Sequence, residues 1–293
     1  MAFLHRILER KTQELSAARN LRSLGDLKGM IREAPAVRPF APALRQEFGL
    51  IAEIKRRSPS AGEMRPANVE EAPGAYARST AVKAVSVLTN TADFGMGIEE
   101  LARVRGLVNK PVLRKDFIFD EYQVYEARAH GADALLLMAN VVNREQMRPL
   151  FELTRELGMD VLFEAHTREE IDMIPSGATL YGINSRKFMA SNRWYLAKLV
   201  SKLGGSKSGA GKDFSVELDT FELIRHLPKD AVKIAESGLK PSKLQDMINL
   251  GYDAVLVGTS LLKAPEGVAS MLGQFEKAVE SAKPAQSAVA TGN

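Results

Sequence analysis

Leu50-Ile51-Ala52-Glu53-Ile54-Lys55 is a short apolar run that ends in charge. Its length and composition suit a strand buried on both faces, as in parallel sheets. Seven similar runs follow: Ala84–Leu88, Pro111–Leu113, Ala134–Leu137, Val161–Phe163, Leu180–Ile183, Val232–Ala235 and Ala254–Val257. Each gap leaves room for one helix, and Gly131, Gly158, Gly177 and Gly251 stand just before the following strand. Eight parallel strands alternating with helices predict the α/β class and a closed (β/α)8 TIM barrel. An open doubly wound sheet is the competitor. It would need a G-x-G-x-x-G turn after the first strand, and the chain has none there.

Outward from these runs the pattern changes. Phe3, Leu4, Ile7, Leu8 and Leu15 are spaced as on an amphipathic helix, and a proline-punctuated stretch over 34–42 follows. Residues 1–48 are therefore expected to form an amino-terminal helical extension packed on the barrel of residues 49–282. Within the barrel the stretch 203–212, Leu-Gly-Gly-Ser-Lys-Ser-Gly-Ala-Gly-Lys, predicts a flexible insert near 188–213. The tail 283–293 lacks apolar periodicity and is expected to be disordered.

The composition narrows the function. With 293 residues, 45% of them hydrophobic, the chain can bury a sizeable core. It contains no cysteine, which excludes a thiol nucleophile, disulfides and thiolate metal sites. The net charge is only +4, too small to argue for nucleic acid; a few lysines around an anionic substrate would account for it. No apolar run approaches a membrane span, and Glu9 and Glu14 count against a targeting leader, so a cytoplasmic protein is expected.

In such a barrel the chemistry gathers at the carboxyl ends of the strands. Side chains alternate along a strand, so Glu53 and Lys55 should share the barrel mouth while Ile54 faces the helices. The other strands end in Lys115-Asp116-Phe117, Glu164, Asn184-Ser185-Arg186, Glu236-Ser237-Gly238 and Gly258-Thr259-Ser260. Two lysines, three carboxylates, an asparagine and an arginine at one mouth exceed what structural ion pairs need. The loops carrying Ser237-Gly238 and Gly258-Thr259 follow the last two strands, where barrels often hold phosphate on backbone N–H groups. A phosphate ester is the expected substrate, with no metal site. Of the four histidines, His5, His130 and His226 are expected on helix surfaces. His166, two residues beyond Glu164, could face the mouth.

The run Ile51-Ala52-Glu53-Ile54-Lys55-Arg56-Arg57-Ser58-Pro59-Ser60 resembles the first-strand signature of the indole-3-glycerol phosphate synthase family. So do Ser86-Val87-Leu88-Thr89, Pro111-Val112-Leu113-Arg114-Lys115-Asp116-Phe117-Ile118, Gly131-Ala132-Asp133-Ala134-Leu135-Leu136-Leu137, Gly182-Ile183-Asn184-Ser185-Arg186 and Glu236-Ser237-Gly238. The resemblance runs from the opening helix to about residue 264 and implies a barrel with an extra amino-terminal helical segment. Two places depart from the family pattern. Lys187 stands where aspartate is usual, with about twenty extra residues after Arg186, and Asn90-Thr91-Ala92-Asp93 replaces an acidic segment.

The resemblance implies the closing of the indole ring in tryptophan biosynthesis. 1-(2-carboxyphenylamino)-1-deoxyribulose 5-phosphate would become indole-3-glycerol phosphate, carbon dioxide and water, with no cofactor. Lys115 would be the general acid, its pKa lowered by burial and neighbouring positive charge. Lys55 would bind substrate anions and assist dehydration, Glu164 would be the general base, and Glu53 would balance the lysines. Asn184 would orient the intermediate's hydroxyl, with Arg186 and Glu236 supporting the polar network. Ser58, Ser237, Gly238, Gly258 and Thr259 would cradle the phosphate, and Phe94, Phe117 and Leu136 would clasp the aromatic ring. A monomer is expected, with association to other enzymes of the pathway open. Two alternatives stand beside this reading. A phosphoribosylanthranilate isomerase would want a cysteine base, which the chain lacks. A non-catalytic barrel subunit would be expected to have lost Lys55, Lys115 or Glu164, and all three are present.

Overall fold

The computed structural model of the protein describes residues 3–188, 214–216 and 218–282. Eight parallel strands form a closed barrel: β1 (Gly49–Ile54), β2 (Val82–Leu88), β3 (Val112–Lys115), β4 (Ala134–Met138), β5 (Asp160–Ala165), β6 (Leu180–Asn184), β7 (Val232–Glu236) and β8 (Ala254–Val257). β1 pairs with β2 on one side and β8 on the other, which closes the ring. All residues of β1, β4, β6 and β8 are buried, as strands packed between an interior core and outer helices must be. Each apolar run read from the sequence falls on one of these strands. Several strands continue past their run, to Lys115, Met138, Ala165, Asn184 and Glu236, so the polar residues at the mouth sit on regular backbone.

Three helices precede the barrel: α1 (Phe3–Leu21), α2 (Leu24–Glu33) and α3 (Phe40–Arg45). Between and after the strands come α4 (Pro66–Arg78), α5 (Thr91–Phe94), α6 (Ile98–Leu107), α7 (Glu121–Ala129), α8 (Arg144–Glu156), α9 (Arg168–Met173), α10 (Leu244–Leu250), α11 (Thr259–Leu262) and α12 (Val268–Ser281). Leu4, Ile7, Leu8 and Leu15 of α1 are buried along one face, each stabilising the docked helix by roughly 1.5–3 kcal/mol. The hydroxyl of Ser23 accepts from the Asp26 N–H at 3.1 Å and the Asp26 carboxylate accepts from the Ser23 N–H at 2.9 Å, which starts α2.

Between β6 and β7 the alternating pattern predicts a helix, and residues 189–213 of that interval lie outside the described residues. The described residues there hold an antiparallel pair, Arg186–Phe188 with Phe214–Val216, and a 3-10 helix, Leu218–His226. Phe221 fixes this segment: its ring meets Tyr252 edge-on at 5.7 Å and its carbonyl accepts the Tyr252 hydroxyl at 2.8 Å. The stretch 203–212 and the tail 283–293, read above as flexible, lie outside the described residues. The histidines also differ. His226 is exposed, but His5 and His130 are half-buried, His130 holding the Glu126 carbonyl at 2.8 Å and Arg22 at 3.2 Å. Among the described residues no helix is long and apolar enough to cross a membrane.

The end of β3 is held from outside the barrel. Lys11 of α1 is buried, with its ammonium 2.5 Å from Asp116 and 3.0 Å from the Thr89 carbonyl. Asp116 also accepts the Thr89 hydroxyl at 2.7 Å and Arg114 at 3.1 Å, and Arg114 reaches Glu126 at 2.7 Å. Buried charges persist only when paired in this way. Asp116 therefore faces the α1 side, while its neighbour Lys115 faces the mouth.

Candidate active site

A cavity of about 300 Å³ opens at the carboxyl ends of the strands, within the range of small-molecule sites. β1 contributes Glu53 and, just past its end, Lys55; β3 contributes Lys115, β5 Glu164, β6 Asn184 with Arg186 beyond it, and β7 Glu236. Ser237, Gly238, Gly258 and Thr259 line another part of the wall. Phe94, Phe117 and Leu136 line it as well, with the two phenyl rings tilted at 6.5 Å between centroids. Fourteen of the fifteen residues singled out from the sequence thus meet around one cavity. Ser58 does not line it; its hydroxyl accepts the Ala61 N–H at 3.1 Å and shapes the turn after β1. That turn leans over the mouth, since Arg186 donates to the hydroxyl of Ser60.

Lys115 is the centre of the charge pattern. Its ammonium lies 2.7 Å from Glu236 Oε2 and 3.0 Å from Glu164 Oε2. Lys55 pairs with Glu53, two residues earlier at the end of β1. Burial alone would discharge Lys115, but Glu164, Glu236 and Glu53 outweigh it and hold the ammonium above the usual lysine range. This corrects the expectation of a lowered lysine pKa. The neighbours of Lys115 are carboxylates, so its proton is held firmly. Burial favours protonation of Glu53 and Glu164, yet Lys55 and Lys115 respectively bring each carboxyl below its ordinary range.

Glu236 goes the other way. Burial, opposed by Lys115 and reinforced by the adjacent Glu164, pushes its carboxyl up to about 7. A carboxyl raised from 4.5 favours the folded state fully below that value, and the benefit is lost as pH rises through about 7. Glu236→Gln removes this ionisation. The expected result is a smaller fall in Tm between pH 5 and pH 8 than in the parent protein. Equal falls in the two proteins would contradict the assignment.

Backbone features sit under the polar groups. Gly182 lies on β6 level with Glu164, and a Cβ there would stand 2.1 Å from Glu236 Oε1. Gly258 likewise leaves room for Glu53, whose Oε1 would be 2.5 Å from a Cβ. At the end of β7, Ser237 has φ 73° and Gly238 φ 70°. Ser237 is the one positive-φ residue other than glycine among the described residues. Such a conformation costs on the order of 1–3 kcal/mol and must be held by its surroundings. Ser185 does so, its hydroxyl lying 3.1 Å from the Ser237 carbonyl and 3.2 Å from that of Glu236.

Sequence reasoning missed part of the lining. Leu88, Met138, Leu239, Leu256 and Val257 complete the apolar wall, and Lys240 stands at its rim. Leu88, Leu256 and Val257 lie inside runs already read as strands, and Met138 ends β4 one residue past its run, so strand position could have found these four, whereas Leu239 lies in the turn after β7. Lys240 had no such signal, because it follows a turn. Among the described residues no group of three His, Asp or Glu could hold a metal ion.

Comparison with known proteins identifies the family. The family model described as Indole-3-glycerol phosphate synthase matches residues 4–192. An indole-3-glycerol phosphate synthase from Bacteroides thetaiotaomicron is 35% identical over 280 residues, covering 94% of this chain and 98% of that protein. One from Mycolicibacterium gilvum is 38% identical over 264 residues and covers 88% of each chain. Among solved structures, 3-hexulose-6-phosphate synthase from Salmonella typhimurium has a TM-score of 0.54 at 14% identity, covering 79% of this chain and 98% of that one. KGPDC from Streptococcus mutans has a TM-score of 0.52 at 13% identity, covering 80% and 98%. These two share the barrel fold and nothing more is taken from them. With the sequence matches spanning most of its length, the chain belongs to the indole-3-glycerol phosphate synthase family.

Proposed function

We propose that the barrel mouth performs the family's ring closure on 1-(2-carboxyphenylamino)-1-deoxyribulose 5-phosphate, yielding indole-3-glycerol phosphate, carbon dioxide and water. One observation carries the assignment of roles: a charged lysine, Lys115, held between two buried carboxylates beside an apolar wall. The aromatic ring of the substrate fits against Phe94, Phe117 and Leu136. Its phosphate fits the Ser237-Gly238 and Gly258-Thr259 loops, where the left-handed backbone at Ser237 turns the chain tightly. Lys55, tied to Glu53, neutralises the substrate's carboxylate and later assists loss of the hydroxyl.

The chemistry then follows from proton positions. The ring carbon bearing the carboxylate attacks the ketone carbon, and Lys115 gives its proton to the ketone oxygen, which becomes a hydroxyl. The carboxylate leaves as carbon dioxide and its bonding electrons restore the aromatic ring. In the dehydration the hydroxyl leaves as water, protonated with the help of Lys55, while Glu164 takes a proton from the adjacent methylene. Asn184 orients that hydroxyl. Loss of the carboxylate as carbon dioxide consumes one proton overall, and solvent restores it to Lys115. A proton donor held charged by carboxylates suits this sequence, because Glu236 becomes neutral near pH 7 and loosens the grip on Lys115.

Incubation of the pure protein with the carboxyphenylamino substrate tests the proposal. Indole fluorescence should grow with release of one carbon dioxide per turnover. Substrate recovered unchanged would overturn it.

A further inference from the structure

His166 is a buried titratable residue that the scheme above leaves without a task. It follows β5, two residues after Glu164, and is almost fully enclosed at 7% exposure. Its backbone N–H donates to Glu170 Oε2 at 2.7 Å and its Nδ1 lies 3.1 Å from the same oxygen. Glu170 is itself buried in the first turn of α9, whose start is capped by the Thr167 hydroxyl accepting the Glu170 N–H at 3.2 Å. The ring cannot turn away while Glu170 holds both groups. Its other nitrogen, Nε2, lies 3.4 Å from Glu164 Oε1. A carboxylate accepts and does not donate, so a neutral ring could satisfy one of these two neighbours and would present a lone pair to the other. Only the imidazolium sets positive charge, and no lone pair, against both carboxylates, the contact of Nε2 with Glu164 being an ion pair and not a hydrogen bond.

We propose that His166 is a positioning residue for Glu164: clamped by Glu170, its imidazolium holds Glu164 Oε1 and keeps that carboxylate charged. The inference rests on Glu164 being the base of the reaction. Its chemical use lies in the step where Lys115 surrenders its proton to the ketone oxygen. At that moment the cation on Glu164 Oε2 disappears, and a buried carboxylate without a counter-charge would itself take up a proton. His166 remains on the other oxygen, so Glu164 stays ionised for the dehydration that follows. The charged groups acting on His166 fit this role. Glu164 on β5, Glu170 on α9 and Glu236 on β7 all favour its cation, against the opposing effect of burial. Lys115 on β3 pairs with two of these carboxylates, Glu164 and Glu236.

The test is the pH dependence of kcat and KM for His166→Gln and Glu170→Gln, beside Glu164→Gln. Removing a positive charge from Glu164 raises its pKa, so the acid limb of kcat in His166→Gln should move to higher pH by about half a unit or more. kcat at neutral pH should fall by about tenfold, the loss of one charge-assisted contact, with KM within about threefold. Glu170→Gln is nearly isosteric and should give the same shift in smaller measure, even if His166→Gln folds poorly. Profiles that superpose on that of the parent protein, with Glu164→Gln inactive, would overturn the role of His166 and leave Glu164 as base. An active Glu164→Gln would instead remove the base assignment and this inference together.

Discussion

Lys115→Ala should lower kcat by about 10²–10⁴-fold, the usual contribution of a positioned general acid, while KM changes only a few-fold. KM is expected to hold because Lys55 and the two loops after β7 and β8 carry the substrate's anionic ends. The variant has a second effect, which follows from what Lys115 touches. Removing one member of a buried charge cluster costs about 3–5 kcal/mol when the partners stay ionised. Glu164 and Glu236 would be left facing each other without a cation between them. As pH falls, Glu236 first and then Glu164 can take up protons, and the penalty shrinks. The fall in Tm caused by Lys115→Ala should therefore be larger at pH 8 than at pH 5, opposite in sense to the effect of Glu236→Gln. Single-turnover rates and thermal unfolding at both pH values check this. Turnover within tenfold of the parent protein would remove Lys115 from the chemistry.

Gly182→Ala should be nearly as damaging, although it adds only a methyl group. In a strand alanine is otherwise preferred to glycine by roughly 0.5–1 kcal/mol. Here the new Cβ falls 2.1 Å from Glu236 Oε1 and 3.2 Å from its Cδ, so the carboxylate must swing aside. Overpacking of this kind costs about 1–3 kcal/mol. The larger effect is on rate. Glu236 Oε2 holds Lys115 at 2.7 Å, and a catalytic group displaced by about 1 Å loses on the order of 10²-fold in rate. Glu236→Asp, with a shorter side chain, should restore part of the lost Tm in the double variant. If Gly182→Ala is as active as the parent protein, the placement of Glu236 does not matter to the reaction.

Much of this site was legible because strand periodicity and barrel topology together say where a polar residue must point. Glu53, Lys115, Glu164 and Glu236 stand out as charges at the ends of apolar runs, and a closed barrel sends them to one mouth. The same logic cut the strands short. Reading stopped at the first charged residue, whereas the ladder continues through Glu164 opposite Gly182 and through Glu236 opposite Asn184. What sequence could not give is pairing across the barrel. The protonation of Lys115 depends on two carboxylates that lie 49 and 121 residues away along the chain. A lysine at a strand end looks alike whether its neighbours are cations or anions. The 3-10 helix after β6 was hidden for a related reason, since its helical spacing does not announce how few of its residues reach the core. Gly182 was visible only as part of a family motif; its physical reason is a carboxylate from another strand.

The seating of α1 also bears on how the chain is made. Lys11 reaches the Thr89 carbonyl across 78 residues, and Arg19 of the same helix reaches Asp120 across 101. Synthesis adds about 5–20 residues per second, so α1 waits several seconds on the ribosome before either receptor exists. During that interval the stripe of Leu4, Ile7, Leu8 and Leu15 has no barrel to cover it. That stripe stays uncovered at least until Thr89 and Asp116, the partners of Lys11, have been added to the chain. Codons that slow translation between residues 21 and 120 would lengthen this exposure, and aggregation of nascent chains should rise with it.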